Sequence, residues 1–157
     1  MALGSDAEAA AYEQRTLRAL MLRAEAAEEL VEAQKHLLKA RQFECKAYDI
    51  LVRKAIYEEE IARLKIRSNL FEQRARECER YYNEGRVEAF KHAALSRSNR
   101  ARTLAKQAKI FENKISIIEK RANDILKNAE EHRKKGGEHE LEAQRLEEEA
   151  IKIQRQL

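Results

Sequence analysis

This chain of 157 residues has no proline, no tryptophan, four glycines and two cysteines. Each shortage excludes something. A compact domain of this length needs a turn every ten to fifteen residues, and a chain almost without Pro and Gly cannot supply them, so β-rich and loop-rich folds are ruled out in favour of long helices. Cys45 and Cys78 stand thirty-three residues apart on one expected helix, about 50 Å at 1.5 Å per residue, too far for a disulfide within one chain. Reduced thiols suit an intracellular, cytoplasmic protein. No stretch approaches the ~20 apolar residues that span a bilayer. The acidic start (Asp6, Glu8, Glu13) does not resemble a secretory leader.

Signatures of chemistry are missing as well. The sequence has no Gly-rich phosphate loop, no Cys-x-x-Cys pair and no Gly-x-Ser-x-Gly elbow. Helical metal sites need carboxylate and histidine one turn apart on more than one helix. With the carboxylate ahead of the histidine, only Glu32/His36 and Glu88/His92 have that spacing. Each reads as a surface ion pair, so the expectation is a non-enzyme with no cofactor and no metal.

What remains is periodicity. An unbroken 3,4 spacing runs through Ala40, Phe43, Ala47, Ile50, Lys54, Tyr57, Ile61, Leu64, Ser68, Phe71, Ala75, Cys78 and Tyr82. A second runs through Val87, Phe90, Ala94, Arg97, Ala101, Leu104, Ala108, Phe111, Ile115, Ile118, Ala122, Ile125 and Ala129. Folding the chain at Gly85 sets Leu64 opposite Leu104, Tyr57 opposite Phe111, Ile50 opposite Ile118 and Ala47 opposite Ala122. Two seven-residue repeats agree in phase by accident about one time in seven, so the pattern predicts an all-α fold built on a long, elongated antiparallel coiled-coil hairpin. In this register Arg97 lies opposite Phe71.

The expected divisions are a disordered start over 1–5, a helical segment over 6–39 capped by Asp6, and a hairpin over 40–135 with its turn at 83–86. A short helix over 138–157 follows. The first helix is either one rod or bent near Leu37 to Gln42. The second begins at Arg86 or Val87 and ends near Lys135, where Gly136 provides a left-handed cap. Two courses are open beyond Gly136-Gly137. The chain can continue outward and set Ala143 against Ala27, Leu146 against Ala24, Ala150 against Leu20 and Ile153 against Leu17. Alternatively it reverses and covers the surplus apolar residues Tyr48, Leu51, Val52, Ile56, Ile110, Ile117 and Leu126. The acidic residues that would face each other in the first course favour the second.

Between Leu17 and Leu38 the apolar surface is wider than a two-helix seam requires. Leu17, Leu20, Met21, Ala24, Ala27, Leu30, Val31 and Leu38 are therefore the candidate partner-binding face, toward another helical protein or a second copy. Net charge is +4 but unevenly spread. Residues 62–109 hold thirteen Lys/Arg against five Glu, a surplus of eight, whereas residues 138–157 hold six Glu against three Lys/Arg. Arg74, Arg80, Arg86, Lys91, Arg100, Arg102 and Lys106 are candidate polyanion contacts. The leading expectation is a structural or adaptor subunit acting through helix-helix contacts in a larger assembly or homo-oligomer. The alternatives are a nucleic-acid-binding virion or nucleoid protein and a membrane-surface coat protein.

Overall fold

The computed structural model describes residues 2–156 and is all-helical, with two long helices packed against each other: α1, Ala2–Gly85, and α2, Glu88–Arg155. Met1 and Leu157 lie outside the described residues. Helix α1 is already formed at Ala2, so Asp6 lies inside the helix instead of capping it, and α1 stays helical through Leu37–Gln42. Nothing in those stretches breaks a helix: the sequence there is Ala-, Leu- and Glu-rich, with Gly4 as its one weak former.

The turn is tighter than expected. Only Arg86 and Val87 separate the helices. The left-handed residue is Arg86, at φ 56°, whereas Gly85 keeps helical backbone. The Arg86 amide still donates to the Tyr82 carbonyl at 2.6 Å, and the Phe90 amide donates to the Val87 carbonyl at 3.0 Å as α2 begins.

Packing divides into two units, one of Met1–Cys45 with Ile125–Leu157 and one of Lys46–Asp124. The second unit follows the sequence register closely. Ile61, Leu64, Leu104 and Ala108 form its core, flanked by Phe71, Phe111 and Ile115. Leu104 is 1% exposed, and burying such a side chain contributes about 1.5–3 kcal/mol. Tyr57 meets Phe111 at 5.4 Å between ring centres. Ser68, buried in the seam, donates its hydroxyl to the Ala101 carbonyl at 2.9 Å. Lys54, the one cation on this part of the α1 stripe, turns its ammonium to Glu119 at 2.7 Å and to Glu58 at 3.7 Å. The stripe departs from expectation near the turn, where Val87 and Phe90 are 49% and 38% exposed. Arg97 reaches Cys78 Sγ at 3.2 Å, and the cation over Phe71 belongs to Arg74.

The first unit overturns the expected short third helix. Helix α2 is continuous through Gly136-Gly137 to Arg155, and no glycine has positive φ. The C-terminal stretch packs on the N-terminal part of α1, with Ala143 and Leu146 clustered on Ala26 and Leu22. The buried rows repeat every seven residues: Ala19, Ala26, Ala33 and Ala40 on α1, and Ala129, Gly136, Ala143 and Ala150 on α2. Gly136 occupies an alanine place in this repeat. A Cβ built there would sit 3.3 Å from the Ala33 carbonyl oxygen and 3.3 Å from Leu37 Cγ. The glycine therefore serves close approach of two backbones, and the chain neither caps nor reverses there. At Gly137 nothing lies within 4 Å of a built Cβ.

The continuing course also has a different register from the one expected. Ala143 lies on Ala26 and Leu22 in place of Ala27, because the buried row is Ala19–Ala26–Ala33, not Leu17–Ala24–Val31. The apolar residues assigned to a covering helix stay uncovered. Tyr48, Val52, Ile56, Ile110 and Ile117 are 54–69% exposed, while Leu51 and Leu126 are half-buried.

Candidate functional site

The candidate partner face is set by what α1 does on its other side. Ala19, Ala26 and Ala33 turn inward to α2. At 100° per residue the stripe Leu17, Leu20, Ala24, Ala27, Val31 and Leu38 lies about 140° away around the helix. It is exposed throughout. Leu17 is 59%, Leu20 55%, Met21 58%, Val31 55% and Leu38 58% exposed, Leu30 is 43% exposed, and Ala24 and Ala27 are open. Leu30, Val31, Gln34, Lys35 and Leu38 line a shallow groove along it. Helix α1 thus carries two 3,4-spaced stripes on different sides, an inner one occupied by α2 and an exposed apolar one.

The inward seam of the same unit holds a feature that the sequence reading missed. Counting back from Ala40 in threes and fours gives His36, Ala33, Glu29, Ala26, Leu22 and Ala19; counting on from Ala129 gives His132, Gly136, His139, Ala143 and Leu146. The polar residues in these rows meet. His36 Nδ1 lies 3.0 Å from His132 Nδ1, with ring centres 5.3 Å apart. His139 lies 5.4 Å from His36 on the other side and pairs through Nδ1 with a Glu29 carboxylate oxygen at 2.5 Å. Phe43 closes the stack on His132 at 5.6 Å. A ladder Phe43–His132–His36–His139–Glu29 therefore runs between the helices, and beside Phe43 the Glu44 carboxylate accepts from Arg133 at 2.7 and 2.9 Å.

Two imidazole nitrogens facing each other share one hydrogen, so one ring donates from Nδ1 and the other accepts. Protonating both rings removes the acceptor and sets two cations against each other. The pKa of His36 is accordingly lowered, first by burial of the ring and then by His132, His139, Lys135 and Lys39. The charged groups around the ladder are Glu29, Glu32, Lys39 and Glu44 on α1, and Arg133 and Lys135 on α2. Glu32 pairs with Lys35 at 2.9 Å, which holds its carboxyl below the usual range, and Arg133 does the same for Glu44. The Glu32/His36 spacing noted in the sequence thus belongs to two different pairings. Among the described residues no group of three or more His, Cys, Asp or Glu is placed to hold a metal ion, and His92 is exposed.

The polyanion candidates lie in the second unit and are all exposed. Several rest on rings: Arg74 over Phe71 at 6.0 Å, Arg80 over Tyr81 at 5.2 Å, Arg86 over Tyr82 at 5.9 Å and Lys91 over Tyr82 at 5.8 Å. Arg80 also approaches Glu84 at 4.0 Å. Among the described residues, Arg100, Arg102 and Lys106 form no ion pair. The two cysteines are free, Cys45 exposed and Cys78 half-buried on the seam. No described helix is long and apolar enough to cross a membrane. Compared with protein-family models, curated proteins and solved structures, the chain matches none.

Proposed function

We propose that the chain is a non-enzymatic, intracellular coiled-coil scaffold that acts by docking helices, as a subunit of a larger assembly. The observation that carries this reading is the second stripe on α1. Leu17, Leu20, Val31 and Leu38 are each more than half exposed at the spacing with which the inner side of the same helix accepts α2. Exposed apolar residues scattered singly need no explanation, but a row at regular helical spacing is the form in which amphipathic helices recognise each other. The alanine-rich inner seam supports the reading, because small residues bring the helices close and leave little room for a substrate cavity.

Cross-linking in extracts of the native source, followed by mapping of the linked peptides, tests it. Links from a partner helix should concentrate on residues 17–38 and disappear in Leu20→Asp/Val31→Asp while the helical circular dichroism is retained. Links that persist in the variant contradict the proposal.

One observation favours a second reading. Arg100, Arg102 and Lys106 face solvent without anionic partners, as a phosphate-binding strip would. Binding to a DNA column that falls steeply with salt, and is lost in Arg100→Glu/Arg102→Glu, would place nucleic acid ahead of protein as the ligand.

A further inference from the structure

The outer face of α1 over residues 17–38 carries charges as well as apolar groups, and their order identifies an occupant. Within the second unit Leu64 and Leu104 share one core cluster. Lys65, which follows Leu64, does not pair with the residue after Leu104. It reaches Glu112 at 2.8 Å, the residue after Phe111, one heptad further on. In the first unit, where His36 meets His132, the same register sets Phe43 opposite Ile125; Glu44, which follows Phe43, pairs with Arg133, the residue after His132 and so again one heptad further on. On the side of the seam formed by the residues that follow these core positions, both ion pairs thus fall one heptad beyond the facing core residue, whereas Arg18–Glu149, on the side formed by the residues that precede the core, shows no such offset.

The same geometry can be laid on the outer stripe. If Ala27 faces Ala27 of a second copy, Leu17 faces Leu38, Ala24 faces Val31 and Leu20 faces Gln34, so large residues close both ends around a small centre. Lys35 follows Gln34, Gln34 faces Leu20 of the other copy, and one heptad beyond that leucine is Ala27, which Glu28 follows. Lys35 therefore meets Glu28 of the second copy, and two-fold symmetry repeats the pair on the other side. Both groups are available for it. Glu28 is exposed and makes no ion pair among the described residues, and the Lys35 side chain is 64% exposed, engaged only with Glu32 one turn away. A parallel, in-register dimer would instead set Lys35 beside Leu30 and leave it without an interchain carboxylate.

We infer that the outer face of α1 over Leu17–Leu38 binds the same face of a second copy of this chain, antiparallel about Ala27, with Glu28–Lys35 pairs flanking the seam on both sides. The inference rests on the helix-docking reading and names its partner.

Sedimentation equilibrium of the full chain across the micromolar range tests it. The wild-type protein should be a dimer. Glu28→Lys and Lys35→Glu should each weaken association by about tenfold, since each sets like charges together twice, whereas the combined swap should return the affinity to near wild type. Val31→Asp should give a monomer with unchanged helical dichroism, because the residue is 55% exposed and supports nothing within the chain. A fully helical monomer throughout overturns the inference, and so does a combined swap no better than either single change. Measured beside the cross-linking above, the two readings separate. If the wild-type chain is monomeric but a different helix still cross-links to residues 17–38, only the self-pairing fails. If nothing docks on that face, both fail.

Discussion

The two adjacent glycines have the same identity and opposite roles. Gly137 has open space around its missing Cβ, so Gly137→Ala should stabilise the protein by about 0.5–1 kcal/mol, the ordinary gain in a helix interior. At Gly136 a side chain meets the Ala33 carbonyl and Leu37 at 3.3 Å, and Gly136→Val should cost about 1–3 kcal/mol by forcing the helices apart. Paired thermal melts distinguish the two. His36 is the second residue whose effect has a definite sign. Its folded pKa lies below its ordinary 6.5 because burial and neighbouring cations favour the neutral ring. In the window between the two values the unfolded chain binds more protons, so the stability from this group is present above pH 6.5 and declines as pH falls through that value, levelling off below the folded pKa. His36→Leu should flatten this part of a pH-stability profile and leave His132 without its ring partner. A profile identical to wild type would show that the ladder is not formed in solution.

At the level of the helices, the inner seam and the outer stripe should respond in opposite ways. Leu104→Ala removes a side chain that is 1% exposed and should cost about 2–5 kcal/mol, whereas Ile117→Ala, at 69% exposure, should stay within about 0.5 kcal/mol of wild type. Chemical denaturation of both variants checks the contrast. The seam from Ala40 to Ala129 was legible in the sequence because nearly every position is apolar and the two helices share a phase. Its continuation was not, because Glu29, His36, His132 and His139 occupy seam places with polar side chains, and the eye passes to the more apolar row beside them. That is why the outward course was expected to set the C-terminal stretch against Leu17, Leu20, Ala24 and Ala27, although the buried row is Ala19–Ala26–Ala33. Gly136-Gly137 looked like a stop for a similar reason. Adjacent glycines weaken a helix by about 1 kcal/mol each, and only the seven-residue count from Ala129 to Ala143 shows that one of them keeps the repeat. The turn was placed within a residue or two, but the sequence gives no sign that Arg86, not Gly85, takes the left-handed backbone. The outer face was found by its surplus of apolar groups; the proposed Glu28–Lys35 pairing could be drawn only once Lys65–Glu112 and Glu44–Arg133 had shown where flanking charges fall.

For the molecule as a whole, the division of labour follows from charge and hydrophobicity together. Residues 62–109 hold most of the positive surplus and residues 138–157 are acidic, while the apolar stripe open for docking lies near the chain's start. Under the helix-docking proposal, the partner would meet side chains already on the surface, with no conformational opening required. That holds only if the C-terminal part of α2 lies along the N-terminal part of α1, because this contact buries Ala19, Ala26 and Ala33 and turns Leu17, Leu20 and Val31 outward. Spin labels at residues 18 and 149, whose side chains approach to 3.8 Å, measure it directly by electron-electron double resonance. The continuous α2 predicts one narrow intramolecular distance of roughly 20 Å or less, set by the neighbouring helix axes and the label linkers. A distance near 40 Å, the distance expected if the chain reversed at Gly136-Gly137 and carried residue 149 back some thirty residues along α1, would contradict it.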